Sequence, residues 1–138
     1  MPPCAAAIIR DESGAILLQR RADSGRWSLP GGKMHIGETI ADCLRREVLE
    51  ETGLHVEPTT IAGIYTDPDH RLAYDDGEVR QEFTVVFHTR TTGGHLRLSH
   101  ESTELEYIPL ENLHTYDIHP TVHLRIHHAT HNATPHIG

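Results

Sequence analysis

Between residues 39 and 52 apolar side chains recur at every fourth position, Ile40, Leu44 and Val48, with no Gly or Pro among them, and this spacing predicts a helix. Thr39, followed three residues later by Asp42, has the form of a capping box with Asp in the Glu position. Gly53 sits where a helix stops in a left-handed residue. Elsewhere the period shortens. Residues 5–10 and 15–20, around the turn-forming Asp11-Glu12-Ser13-Gly14, predict a hairpin. Residues 54–66, with apolar Val56, Ile61 and Ile64, are expected to include a strand. Residues 81–90 alternate, with Phe83, Val85 and Phe87 on one face, and lead into a turn predicted at Thr91-Thr92-Gly93-Gly94. A further strand is expected over 105–108. After Pro109, residues 119–131 predict a closing helix with Val122 and Ile126 on one side. No repeat, low-complexity tract or linker interrupts this order, so one domain over 1–138 is expected, of α/β (α+β) class with a mixed sheet sandwiched by helices.

On the first helix Glu47, Glu50 and Glu51 stand at i, i+3 and i+4, within one arc of roughly 100°. Like charges that close repel. The cluster is therefore either a solvated acidic face or the ligand set of a hard divalent cation such as Mg²⁺ or Mn²⁺, which keeps waters and takes phosphate oxygens as further ligands. Upstream, Trp27-Ser28-Leu29-Pro30-Gly31-Gly32-Lys33 leads from a strand toward this helix. Its adjacent glycines permit close approach of backbone to a ligand, and the same Pro-Gly-Gly is also an ordinary turn.

Nine positions between Gly32 and Leu54 fall on one ladder: Gly32, Glu38, Arg46-Glu47-Val48, Glu50-Glu51 and Gly53-Leu54. Read as G-x5-E-x7-R-E-U-x-E-E-x-G-U, with U aliphatic, it resembles the signature of the Nudix (MutT-related) hydrolases at every defined position. The resemblance implies a Nudix-type α/β/α sandwich and a metal-dependent hydrolase of nucleoside diphosphates linked to a further group. It implies the Gly31 carbonyl, Glu50 and Glu51 as metal ligands, and Glu47 as a further ligand or the general base. Arg46 would orient Glu47, while Gly32, Glu38 and Gly53 would be structural. Relatives also place a Glu from a late loop at the metal site; here Glu101 and Glu104 are both candidates for that ligand or base.

The chemistry so implied is water attack on one phosphorus of a diphosphate, with metal charge on the phosphate oxygens and a carboxylate base within reach of the water, for which Glu47 and Glu50 on the helix and Glu101 or Glu104 in the late loop are the candidates. No nucleophilic Ser or Cys is required. A formal charge of −8, from 12 basic and 20 acidic residues, argues against a broad nucleic-acid face and makes a metal necessary for a polyanionic substrate. The N-terminal segment has no basic leader and no run long enough to cross a bilayer, and Cys4 and Cys43 are expected as free thiols. A cytoplasmic enzyme with a small-molecule nucleotide partner, no nucleic acid and no membrane is the expectation, with a homodimer left open.

Two regions bear on substrate. In the polar stretch 67–77, Arg71 is a candidate for phosphate, and Tyr74 or Tyr65 for stacking on a base. Pro68 is offset by one from a proline of ADP-ribose pyrophosphatases, which tilts the expectation slightly toward ADP-ribose or a similar nucleoside diphosphate derivative. In the other region His119, His123, His127 and His131 repeat every four residues. No carboxylate completes a H-E-x-x-H pattern there, so a polar stripe and no catalytic zinc are expected. The rival activity is a triphosphate pyrophosphatase of the nucleotide-sanitising kind. A non-catalytic nucleotide-sensing module is the third reading, against which the intact ladder speaks.

Overall fold

The computed structural model describes residues 3–66, 71–73 and 79–138. Among these residues, ten strands and two helices follow in the order β1 (Cys4–Ile8), β2 (Ile16–Arg21), β3 (Trp27–Ser28), β4 (Gly31–Lys33), α1 (Ile40–Thr52), β5 (Leu54–Tyr65), β6 (Arg71–Ala73), β7 (Val79–Gln81), β8 (Thr84–Gly94), β9 (Ser102–Ile108), α2 (Pro120–His131) and β10 (His136–Ile137). A 3-10 turn, Leu110–Thr115, separates β9 from α2. The main sheet is mixed, ordered β10-β5-β8-β1-β4, with β1 parallel to β8 and β10 parallel to β5. A second sheet, β3-β2-β9, is antiparallel, and β6 and β7 form a separate ribbon.

Strand β1 explains the layering. Its residues are small and apolar at successive positions, so both faces can be buried, as suits a strand with layers on each side. Ala6 and Ile8 pack with Ile16 and Leu18 of β2, Val86 of β8 and Ile126 of α2. Ala5 and Ala7 pack with Leu17 of β2 and with Cys43, Leu44 and Val48 of α1. Helix α1 thus rests on one face of the sheet and α2 on the other.

The capping box of α1 forms as its sequence predicts: Thr39 Oγ1 accepts from the Asp42 N–H, and the Asp42 carboxylate accepts from the Thr39 N–H. The stop is equally specific. Gly53 adopts φ 77° and its N–H donates to Leu49 O, and a β-carbon there would lie 2.2 Å from His95 O.

Two expectations change. Residues 5–20 make the turn, tied by the Asp11 carboxylate to the N–H groups of Ser13 and Ala15, but β1 and β2 pair only next to it. Each strand has two apolar faces to cover, so beyond Ile9 and Leu17 they separate into different sheets. The turn expected at 91–94 is instead the end of β8. There Gly93 and Gly94 run against His55 and Leu54, and a β-carbon on Gly94 would meet Gly53 O at 2.3 Å. Glycine here serves close backbone approach, not reversal. Strand β10 carries too few residues to show a period.

Candidate active site

Arg46 organises the ladder. Its guanidinium grips Glu38 in a two-point contact (Nε to Oε2 2.6 Å, Nη2 to Oε1 3.0 Å), donates to the Lys33 carbonyl at 2.9 Å, and donates from Nη1 to Glu47 at 2.7 Å and Glu50 at 3.3 Å. The loop between β4 and α1 is thereby closed onto the helix. Glu38 also accepts from the His35 N–H, at 2.8 Å. Arg46 and then that N–H hold the Glu38 carboxyl down to about 2.

Beyond Arg46 the three helix carboxylates differ. Glu50 is more than half exposed, and Glu47 is largely covered. Glu51 is buried at 5% exposure, and its Oε2 accepts two hydrogen bonds, from Gln19 Nε2 at 2.8 Å and from the Gly31 N–H at 2.9 Å. No cationic side chain forms an ion pair with Glu51 among the described residues. Burial lifts its pKa well above the ordinary carboxylate range. The Gly31 donor opposes that shift, and the neighbouring Glu47, within hydrogen-bond reach, adds to it.

The glycines upstream are shaped by this cluster. A β-carbon on Gly32 would lie 2.5 Å from the Glu47 carboxyl carbon; one on Gly31 would strike the Ala5 carbonyl oxygen at 2.1 Å, where β4 pairs with β1. Among the described residues no three acidic, His or Cys side chains converge as a ready-made ion cage. Glu47 and Glu51 meet, while Glu50 leans to Arg46. Two adjoining carboxylates, one buried and without an ion pair among the described residues, beside close-packed backbone, fit a hard divalent cation that keeps part of its water shell.

A cleft of about 450 Å³ adjoins Glu50 and Glu51, and Arg97, Ser99, His100 and Glu101 form its other wall. Of the two late-loop candidates, Glu101 stands in this cleft. Glu104 faces Arg20 at 3.5 Å and borders a different depression, with Leu96 and Leu105. Arg97, which has no ion pair among the described residues, is fixed to the end of α1 by its N–H, 2.8 Å from Thr52 O.

Tyr65, expected to stack on a base, is buried away from this cleft. Its hydroxyl lies 2.8 Å from His128 Nδ1, the His136 ring stacks on it at 5.0 Å, and the Arg125 guanidinium lies 5.1 Å from its ring centre. Pro68 and Tyr74 lie outside the described residues, and of Arg71 only its place in β6, opposite Gln81, is described. In the histidine stripe His119 caps α2 by accepting from the Thr121 N–H, and His127 and His131 stack at 4.2 Å. The sequence flagged neither Arg97 nor Gln19, and Gln19 is the less legible of the two. Its only signal is a polar side chain continuing the apolar run of 15–18.

A family model described as the NUDIX domain matches residues 1–128. A MutT-like protein of Streptomyces ambofaciens is 35% identical over 103 residues, which are 75% of this chain and 60% of that protein. An ADP-ribose pyrophosphatase of Methanocaldococcus jannaschii is 33% identical over 108 residues, 77% of this chain and 60% of its own length. The chain therefore spans about three-fifths of these two relatives. The crystal structure of a MutT protein from Methanosarcina mazei Go1 superposes with a TM-score of 0.73 at 29% identity, covering 92% of this chain and 89% of that one.

Proposed function

Since the chain belongs to the Nudix family, we propose that it is a Mg²⁺-dependent pyrophosphohydrolase that cleaves a nucleoside diphosphate linked to a further group, by water attack at phosphorus. The observation that carries this reading is Glu51: a buried carboxylate pressed against Glu47, opening on the same cleft as Glu50 and Glu101 and lacking an ion pair of its own among the described residues. A divalent cation bound at Glu47, Glu50, Glu51 and the Gly31 carbonyl supplies neutralisation of phosphate oxygens and a lowered pKa for bound water. The remaining work falls to the chain's own groups. Arg46 holds Glu47 in place. Glu101, on the far wall, is the base that takes the water's proton, in preference to Glu104 with its Arg20 partner. Arg97 offers a guanidinium to the phosphates. The ADP-ribose pyrophosphatase among the relatives supports an ADP-ribose-like substrate. Arg97 and His100 on the cleft wall favour, as a second reading, a triphosphate that leaves pyrophosphate.

Product analysis separates the two readings. ADP-ribose with Mg²⁺ is expected to yield AMP and ribose phosphate, whereas a triphosphate would yield monophosphate and pyrophosphate. Glu101→Gln should slow the productive reaction by about 10²–10⁴-fold, and Glu104→Gln by less than about threefold. Equal losses from the two variants would overturn the choice of base.

A further inference from the structure

Gln19 is 3% exposed, and both ends of its amide are used. Nε2 donates to Glu51 at 2.8 Å, and Oε1 accepts from the hydroxyl of Ser102, itself 7% exposed. A Glu51 that is ionised, as a cation ligand is, only accepts, so the amide nitrogen then faces Glu51 and the amide oxygen faces Ser102. Three buried polar side chains, from β2, α1 and β9, thus form one directed chain.

Ser102 reaches that chain through a break in the strand register. Arg20 pairs with Glu104, but the next pair is Arg21 with Ser102, so Thr103 is skipped. In a regular ladder Thr103 would occupy the position that Ser102 takes. Such bulges re-aim side chains beside functional sites. Gln19 shares a strand face with Leu17, which packs on α1. The bulge therefore turns Ser102 inward, toward α1, and leaves Glu101 at the mouth of the cleft. The loop before it is tight: the Glu101 N–H donates to Ser99 Oγ and the Ser102 N–H to Ser99 O.

We infer that Gln19 is a positioning residue that commits one oxygen of Glu51 to the protein and locks the Glu101 loop to it. Glu51 Oε2 already accepts from Gln19 and Gly31, which leaves Oε1 for a cation. Through Ser102 the same amide sets the distance between the helix carboxylates and Glu101, so cation binding at Glu51 and order in residues 99–102 are coupled. This rests on Glu51 being a cation ligand, as proposed above.

The test is Mn²⁺ affinity, by titration calorimetry, together with hydrogen exchange of the Glu101 and Ser102 amides with and without saturating Mn²⁺. Four proteins are compared: the parent chain, Gln19→Met, Ser102→Ala and Glu51→Gln. Gln19→Met conserves length and keeps the interior filled. It should weaken Mn²⁺ binding by about 10–100-fold, the usual effect of removing the partner that orients a ligand. Ser102→Ala should keep Mn²⁺ affinity within about threefold of the parent. Mn²⁺ should slow loop exchange in the parent and lose that effect in both of these variants. Unchanged Mn²⁺ affinity in Gln19→Met, or an undiminished response of loop exchange to Mn²⁺, overturns the inference even if melting temperatures fall. Parent-like affinity in Glu51→Gln would instead sink the underlying assignment of the ligand.

Discussion

At the scale of single residues, the two glycines before the helix do different work, and substitution should separate them. The atoms nearest to a methyl group on Gly32 are the end of the Glu47 side chain, which can swing aside at the expense of its contact with Arg46. Gly32→Ala is therefore expected to fold with nearly parental stability but to lose activity by about tenfold or more, because Glu47 leaves its place; turnover and urea melts measured together check this. A methyl group on Gly31 strikes backbone of β1, so Gly31→Ala should cost roughly 2–4 kcal/mol of stability. The Glu38 ion pair offers a pH test. Its carboxyl titrates at about 2 in the folded chain against an ordinary 4.5, so the stability it contributes is complete above about 4.5 and lost as pH falls through about 2. Glu38→Gln should be less stable than the parent at pH 7, and the gap should close between pH 4.5 and 2. A gap of constant size across that range would refute the assignment.

At the scale of elements, α1 is both scaffold and site: Leu44 and Val48 fasten one side while Glu47 and Glu51 emerge beside them. Leu44→Ala is expected to destabilise the chain by about 2–4 kcal/mol, with activity restored under conditions that refill the folded state, as checked by denaturant melts against turnover. This helix was legible in the sequence because its period, cap and stop are all local. So was the ladder, since it lies within one continuous stretch from β4 through α1 to the first residue of β5. The partners of β1 were not legible, because a strand apolar on both faces carries no alternation to say which neighbours it has. Gln19 was not legible either: its meaning depends on Ser102, 83 residues away, and on a bulge that no local pattern announces. Tyr65 lies outside the cleft lined by Glu50 and Glu51, which the sequence could not show for a related reason. Proximity to a polar loop suggested a ligand face, while the ring is spent on His128 and His136.

At the scale of the whole molecule, two layers converge on one cleft. Helix α1, on one face of the mixed sheet, supplies carboxylates at its C-terminal end. The loop ahead of β9 brings Glu101, Arg97 and His100 opposite them, and β2 joins the two sides through a single amide. Glu50, Glu51 and Glu101 add negative charge to a cleft on a chain of net charge −8, and the proposed cation would offset it for a phosphate substrate. The most direct measurement is hydrolysis of ADP-ribose and of nucleoside triphosphates by the parent chain and by Glu51→Gln, each with Mg²⁺ and with the metal chelated. Monophosphate should be released only with Mg²⁺, and the Glu51→Gln rate should fall by about 10²–10³-fold with the fold intact. Turnover by Glu51→Gln at the parental rate, or by the parent without metal, would contradict the account.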